Sequence, residues 1–301
     1  MTAGADPAPV ALICGGGSGI GAATAELLAS GGWEVCVAGR RHRPLAQVAE
    51  RTGAHMVPGA DVATPEGAAR AVDGCLERFG RMDALVISSG TGAGGAVLEQ
   101  TLERFERVLR TNVTGAFLLC RRALPALIEA RGAIVTVGSL AGLRADPESA
   151  AYCSSKAALV MLTRCVALDY GPAGVRANCV CPGWIRTDMA DAAMDELARA
   201  RGVDRERAYE LAVQDVPARR PGTAAEAASA IAWLLSPGAA YVNGAVVCVD
   251  GGAAIVDAGT LAFAPRRRER PQRCEPPHRF EPQRCEPQRF EQQSTAEAQG
   301  E

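Results

Sequence analysis

The sequence predicts an α/β fold, a doubly wound parallel sheet with helices on both faces, on three observations. Short apolar, β-branched runs recur along the chain. Stretches with helical apolar spacing separate them. The alternation runs unbroken from Val10 to about Asp250. Strands and helices that alternate at this spacing require right-handed crossovers, which cover both faces of a parallel sheet.

The first strand is Val10–Cys14, a run of apolar residues with no alternation, as a strand buried on both faces should be. A glycine loop follows, then a helix over 20–30. The second strand covers 33–38 and its helix 44–50, with a weak third strand at 55–57. Helical spacing returns at 66–79, 102–128, Ala150–Tyr170 and Ala224–Leu235. Between these lie strands at Ala84–Ile87, Ala133–Val137, 175–180 and 245–249. Residues 10–264 are read as one domain after a flexible stretch at 1–9. From Pro265 a near-repeat of Pro, Gln, Arg, Cys and Glu sets in, and such composition buries too little apolar surface to offset the entropy of ordering. Residues 265–301 are read as a disordered tail, either a functionless extension or a linear motif built on Phe280 and Phe290.

With 48% apolar residues, a net charge of -2 and a pI near 6.0, the chain has material for a core and no electrostatic case for nucleic acid or an anionic membrane. No uncharged apolar stretch reaches spanning length, and Met1 to Pro9 lacks the positive charge of a secretory signal. Eleven cysteines are dispersed. Cys14, Cys36, Cys179, Cys181 and Cys248 lie in strand-like runs and read as reduced core thiols of a cytoplasmic protein. His42, His55 and His278 fall near none of the catalytic motifs below, which opposes a Ser-His-Asp hydrolase or a His-ligated metal, and no metal site is expected.

Of 32 basic residues only one is a lysine, Lys156. It follows Tyr152 by one helical turn, so both side chains share a face, and an ammonium there favours the phenolate. A tyrosine so placed can act as a general acid/base. Gly15-Gly16-Gly17-Ser18-Gly19-Ile20-Gly21 joins the first strand to its helix. Backbone amides at a helix N-terminus bind anions, and absent side chains let a pyrophosphate approach.

These features and five others resemble the short-chain dehydrogenase/reductase family, over residues 10–252. Asp61-Val62 matches the adenine-side pair and Asn112 the helix asparagine. Ser139 lies thirteen residues before Tyr152. Pro182-Gly183-Trp184-Ile185-Arg186-Thr187 matches the segment beside the nicotinamide, and Asp250-Gly251-Gly252 the closing motif. Two departures are Cys14, where the family has Thr, and Ile87-Ser88-Ser89-Gly90, where it has Asn-Asn-Ala-Gly.

The resemblance implies a Rossmann-type fold and an oxidoreductase interconverting a ketone and a secondary alcohol, most like a 3-oxoacyl-carrier-protein reductase. It implies Tyr152 as proton donor and Ser139 as partner of the substrate oxygen. Lys156 would support Tyr152 and the nicotinamide ribose, and Asn112 would hold a water that links Lys156 to solvent. Gly15, Ser18, Gly19, Ile20, Gly21, Asp61, Val62, Gly90, Gly183, Ile185 and Thr187 would bind the cofactor, together with Tyr152 and Lys156. Arg40-Arg41 ends the second strand where an NAD enzyme carries a carboxylate, so NADP(H) is favoured over NAD(H), with Arg40 the main contact and Arg41 a second. Two alternatives stand beside this reading: a dinucleotide-binding regulator without turnover, and a scaffold acting through the tail. A lid over 188–216 would carry Met189, Met194, Leu197, Tyr209 and Leu211 either as pocket lining or, the safer reading, as helix packing. The nearly all-apolar circumference of the helix bearing Tyr152 implies a homodimer or homotetramer.

Overall fold

The computed structural model describes residues 7–263. By its internal contacts the chain divides after Val256. The first unit holds the sheet. Of the second, residues 257–263 are described: a 3₁₀ segment, Ala258–Phe263, in which Asp257 accepts from the amides of Gly259 and Thr260. The expected disordered tail lies outside the described residues.

Seven parallel strands, β1 (Val10–Cys14), β2 (Glu34–Gly39), β3 (His55–Pro58), β4 (Ala84–Ile87), β5 (Ala133–Val137), β6 (Arg176–Pro182) and β7 (Val246–Val249), lie in the order β3-β2-β1-β4-β5-β6-β7. The strand order reverses between β1 and β4. In such a sheet ligands bind at the carboxyl ends of the strands beside that reversal. Among the described residues nine α-helices accompany the strands: α1 (Gly19–Ser30), α2 (His42–Thr52), α3 (Pro65–Phe79), α4 (Leu102–Leu109), α5 (Gly115–Ala130), α6 (Ala150–Tyr170), α7 (Asp188–Arg201), α8 (Arg205–Ala212) and α9 (Ala224–Leu235).

Successive strand residues point to opposite faces, so each strand feeds two cores. Leu12, Cys14, Cys36, Leu85 and Ile87 pack with Ala71, Cys75, Leu119 and Leu127 of α3 and α5. Ala11, Ile13, Val35, Val37, Val86 and Val135 pack on the other face with Ala25 and Leu28 of α1 and Ile231 and Leu234 of α9. Helix starts follow their capping residues. Thr64 accepts from Gly67 N with Pro65 at the first helical position of α3, and Thr223 and Glu226 form a reciprocal capping box on α9.

Several boundaries differ from the sequence expectation. β2 begins at Glu34, whose amide donates to Pro9 O, after Gly32 turns the chain at φ +84. α2 begins at His42, because Pro44 in a first turn gives up an amide that no helical carbonyl would have met. The single helix expected over 102–128 carries a π turn, Arg110–Thr114, between α4 and α5. The 188–216 stretch is a helix pair, α7 and α8, with its own small core. Met194 and Tyr209 are buried in it and Leu197 packs against them, as the packing reading has it. Cys248 is exposed, not a core thiol, because β7 has a strand neighbour on one side only. Over 150–173 the chain is long and apolar enough to cross a membrane by length and composition alone. However, 44% of that window is buried in the protein, as befits a central core helix.

Candidate active site

The glycine loop sits where β1 ends at the reversal. Gly15 adopts φ +83 and donates to Ala38 O. A Cβ on it would lie 2.6 Å from Ser89 N, so only glycine fits both the conformation and the space. Gly21 is closed to a side chain in the same way, because its Cβ would run into the Gly15 carbonyl. Ser18 begins α1 without capping it; its Oγ accepts from Arg41 Nη2 at 3.3 Å. The first turn of α1 carries no acid, so the partial positive charge of its amides faces outward unneutralised.

Those amides open into a cleft of about 240 Å³. Gly15, Ser18, Gly19 and Ile20 line it from the loop, Arg40 and Arg41 from the end of β2, and Asp61 and Val62 from the turn after β3. Gly90 follows β4, Tyr152 and Lys156 come from α6, and Thr187 from the start of α7. Among the described residues neither Arg40 nor Arg41 has an acidic partner. Glycines a side chain would fill, an unneutralised helix start and arginines without an acidic partner among the described residues suit a bound dinucleotide with its phosphates toward the loop.

Five selected residues stand outside the cleft wall. Gly21 lies inside α1. Gly183 is held to β7 by donating to Val249 O, and Ile185 forms an isolated bridge with Gly222. Asn112 and Ser139 border α6 instead. Other wall residues carry no clear sequence mark: Leu45 and Ala60 look like ordinary packing positions, and Thr111 like a helix residue. Ser88 and Ser89, noticed only as departures, line the wall, and Asp188 and Met189 of the expected lid reach it.

α6 supplies the reactive pair. Lys156 is 4% exposed; its Nζ donates to Val137 O at 2.8 Å and sits 5.6 Å from the centre of the Tyr152 ring. Two residues beyond Val137, Ser139 starts a 3₁₀ turn, Leu140–Gly142, and its Oγ accepts from Ala141 N. That turn presses on α6, since a Cβ on Gly142 would lie 2.7 Å from the carbonyl carbon of Lys156. Asn112 is buried in the π turn, a rare geometry that recurs at functional sites. Its Oδ1 accepts from Thr91 N, while its Nδ2 donates to Thr91 O and to Ser155 Oγ. Both amide protons are thus engaged, and only the second lone pair of Oδ1 remains for a water. That oxygen and Lys156 Nζ flank Gly90, each 3.5 Å from where a Cβ would sit. Ser155, absent from the sequence reading, donates to Tyr152 O and ties Asn112 to α6.

A family model described as enoyl-(acyl carrier protein) reductase matches residues 15–254. The chain belongs to the short-chain dehydrogenase/reductase family. It is 44% identical to Protein MoaE of Klebsiella aerogenes over 85% of this chain and all of that protein. It is 35% identical to the 3-oxoacyl-[acyl-carrier-protein] reductase MabA of Mycobacterium tuberculosis, over 80% of this chain and 91% of the other. Among solved structures, actinorhodin polyketide ketoreductase with NADPH superposes with a TM-score of 0.78 at 31% identity, covering 82% of this chain and 97% of that one. As a short-chain dehydrogenase/reductase, the protein is an oxidoreductase that interconverts carbonyl and alcohol groups with a nicotinamide dinucleotide.

Proposed function

We propose that the protein is an NADP(H)-dependent reductase of a ketone, with a 3-oxoacyl thioester the leading class, and in reverse a secondary-alcohol dehydrogenase. The observation that carries this reading is the convergence of Tyr152 and Lys156 on the wall that also holds the glycine loop. When bound, the cofactor supplies or accepts the hydride. Tyr152 gives its hydroxyl proton to the developing alkoxide and takes it back in the reverse direction. Ser139 donates to the same oxygen, a fixed dipole where charge develops. Lys156 spends one donor on Val137 O and has two more for ribose hydroxyls and a water. Asn112 Oδ1 is that water's second partner, which gives Tyr152 a route to a fresh proton.

Selectivity for NADP(H) is supported by Arg40 and Arg41 on the cleft wall and by the absence of a carboxylate at the end of β2. The thioester reading is supported by the name of the MabA relative. A regulator without turnover would not need Asn112, Ser139, Tyr152 and Lys156 together. We take the working form to be a cytoplasmic homodimer or homotetramer, on the exposed apolar residues Phe117, Met161 and Leu168 of α5 and α6.

The test follows NADPH absorbance against ketones, 3-oxoacyl thioesters and secondary alcohols, then repeats it with NADH. Turnover with NADPH well above NADH is expected, and Arg40→Asp should shift the preference toward NADH. Equal or better wild-type efficiency with NADH would overturn the NADP(H) assignment.

A further inference from the structure

The loop from Thr91 to Gln100 borders the proposed acid/base; it is tied down at Thr91, Gly95 and Ala96, but its glycines have no side chains to hold the carbonyls between. Between Gly90 and Ala96 only Thr91 is larger than alanine. The two large apolar residues that follow, Val97 and Leu98, are 75% and 101% exposed, so they do not anchor it. The exception is Gln100. Its Nε2 lies 3.4, 2.6 and 3.3 Å from the carbonyl oxygens of Ala93, Gly94 and Gly95.

Three converging carbonyls demand a donor, so the amide cannot be turned round without setting oxygen against oxygen. That orientation leaves Gln100 Oε1 buried, with no partner among the described residues. A buried unpartnered acceptor is costly. The side chain accepts that cost to keep its donor on the loop.

We infer that Gln100 is a positioning residue, which fixes the loop that walls Tyr152 by sharing its two amide protons among these three carbonyls. The inference rests on the reading of Tyr152 given above. The loop touches the proposed machinery at three points. Thr91 holds the Asn112 amide by both N and O. Gly92 abuts the Tyr152 ring, where an added Cβ would lie 3.7 Å from Cδ2. Gly95 donates to Glu148 O and bridges Ser149, the residue before α6. Glu148 itself sits at φ +51, a conformation a non-glycine residue keeps only when its surroundings impose it. Fixing three successive carbonyls therefore fixes Asn112, the Tyr152 ring and the start of α6 together.

The test separates donation from packing. Gln100→Met keeps length and removes the donor, Gln100→Glu replaces it with an acceptor, and Gln100→Lys restores three protons at that point. Relative to wild type, the Met and Glu variants should lose about tenfold to a hundredfold in kcat, as a small misplacement at a reacting centre costs. NADPH affinity should stay the same, because Gln100 does not line the cofactor cleft. The Lys variant should keep most of the wild-type kcat.

Hydrogen exchange read on peptides covering 91–96 and 146–152 should accelerate in Gln100→Met and not in Gln100→Lys. A Met variant with wild-type kcat and exchange, or a Lys variant as impaired as the Met one, overturns the inference. Should the wild type turn over none of the carbonyls offered, the Tyr152 reading fails, while the exchange comparison still decides the role of Gln100.

Discussion

Lys156 is a cation inside the protein with none of the ion pairs seen among the described residues. Burying an ammonium is expensive, and a backbone carbonyl and a ring offset only part of the cost. An arginine there would bring a planar head of five donors into a space shaped for three. Lys156→Arg should therefore be severely impaired although it keeps the charge. Tyr152→Phe removes only the transferable proton and should lower kcat by about 10²–10⁴-fold with NADPH binding unchanged. If Tyr152→Phe retains more than a few per cent of the wild-type rate in stopped-flow turnover, the acid is another group. The tyrosine and lysine were legible because one helical turn puts them on one face whatever the rest of the chain does. Ser155 was not, because its partner Asn112 lies far away in sequence, and Gln100 was not, because the three carbonyls before it converge only along the folded path of an irregular loop.

The contact between β5 and β6 is tight below the proposed serine. A Cβ on Gly138 would lie 2.7 Å from Cys179 Sγ and 2.8 Å from Cys181 Sγ, and the two sulfurs are themselves 3.8 Å apart. Gly138→Ala should cost about 1–3 kcal/mol in denaturant unfolding, the usual penalty for overpacking. The double variant Gly138→Ala with Cys179→Ala should recover part of it. No recovery would mean that the backbone, not the sulfurs, sets the limit.

At α9, the Arg220 hydrogen bond holds the Glu226 carboxyl down at about 2, against 4.5 for the free group. A depressed acid adds stability above its unfolded value, and that contribution drains as pH falls from 4.5 toward 2. Glu226→Gln should flatten this part of the pH–stability curve; an unchanged slope in acid unfolding would show that the pair is screened by solvent. The strands and most helices were legible because doubly buried strands read as apolar runs. The π turn within 102–130 was not, since one extra residue per turn leaves the apolar spacing on either side intact.

On the scale of the whole molecule, Phe117 and Ile128 on α5 and Met161 and Leu168 on α6 leave large apolar side chains exposed. Light scattering should find a dimer or tetramer, and deletion of residues 265–301 should change neither assembly nor activity, since the family match ends at 254. A monomer, or a truncation that dissociates or stops working, would count against this assembly. The strand order has a separate consequence for the newborn chain. β1 lies between β2 and β4, so it has both its neighbours as soon as Ile87 has left the ribosome. The glycine loop can then close long before Tyr152 and Thr187 are made. A ligand steadies only a site that already exists. The proposed cofactor cleft is complete only once translation has passed Thr187, so until then the emerging N-terminal half relies chiefly on its own packing.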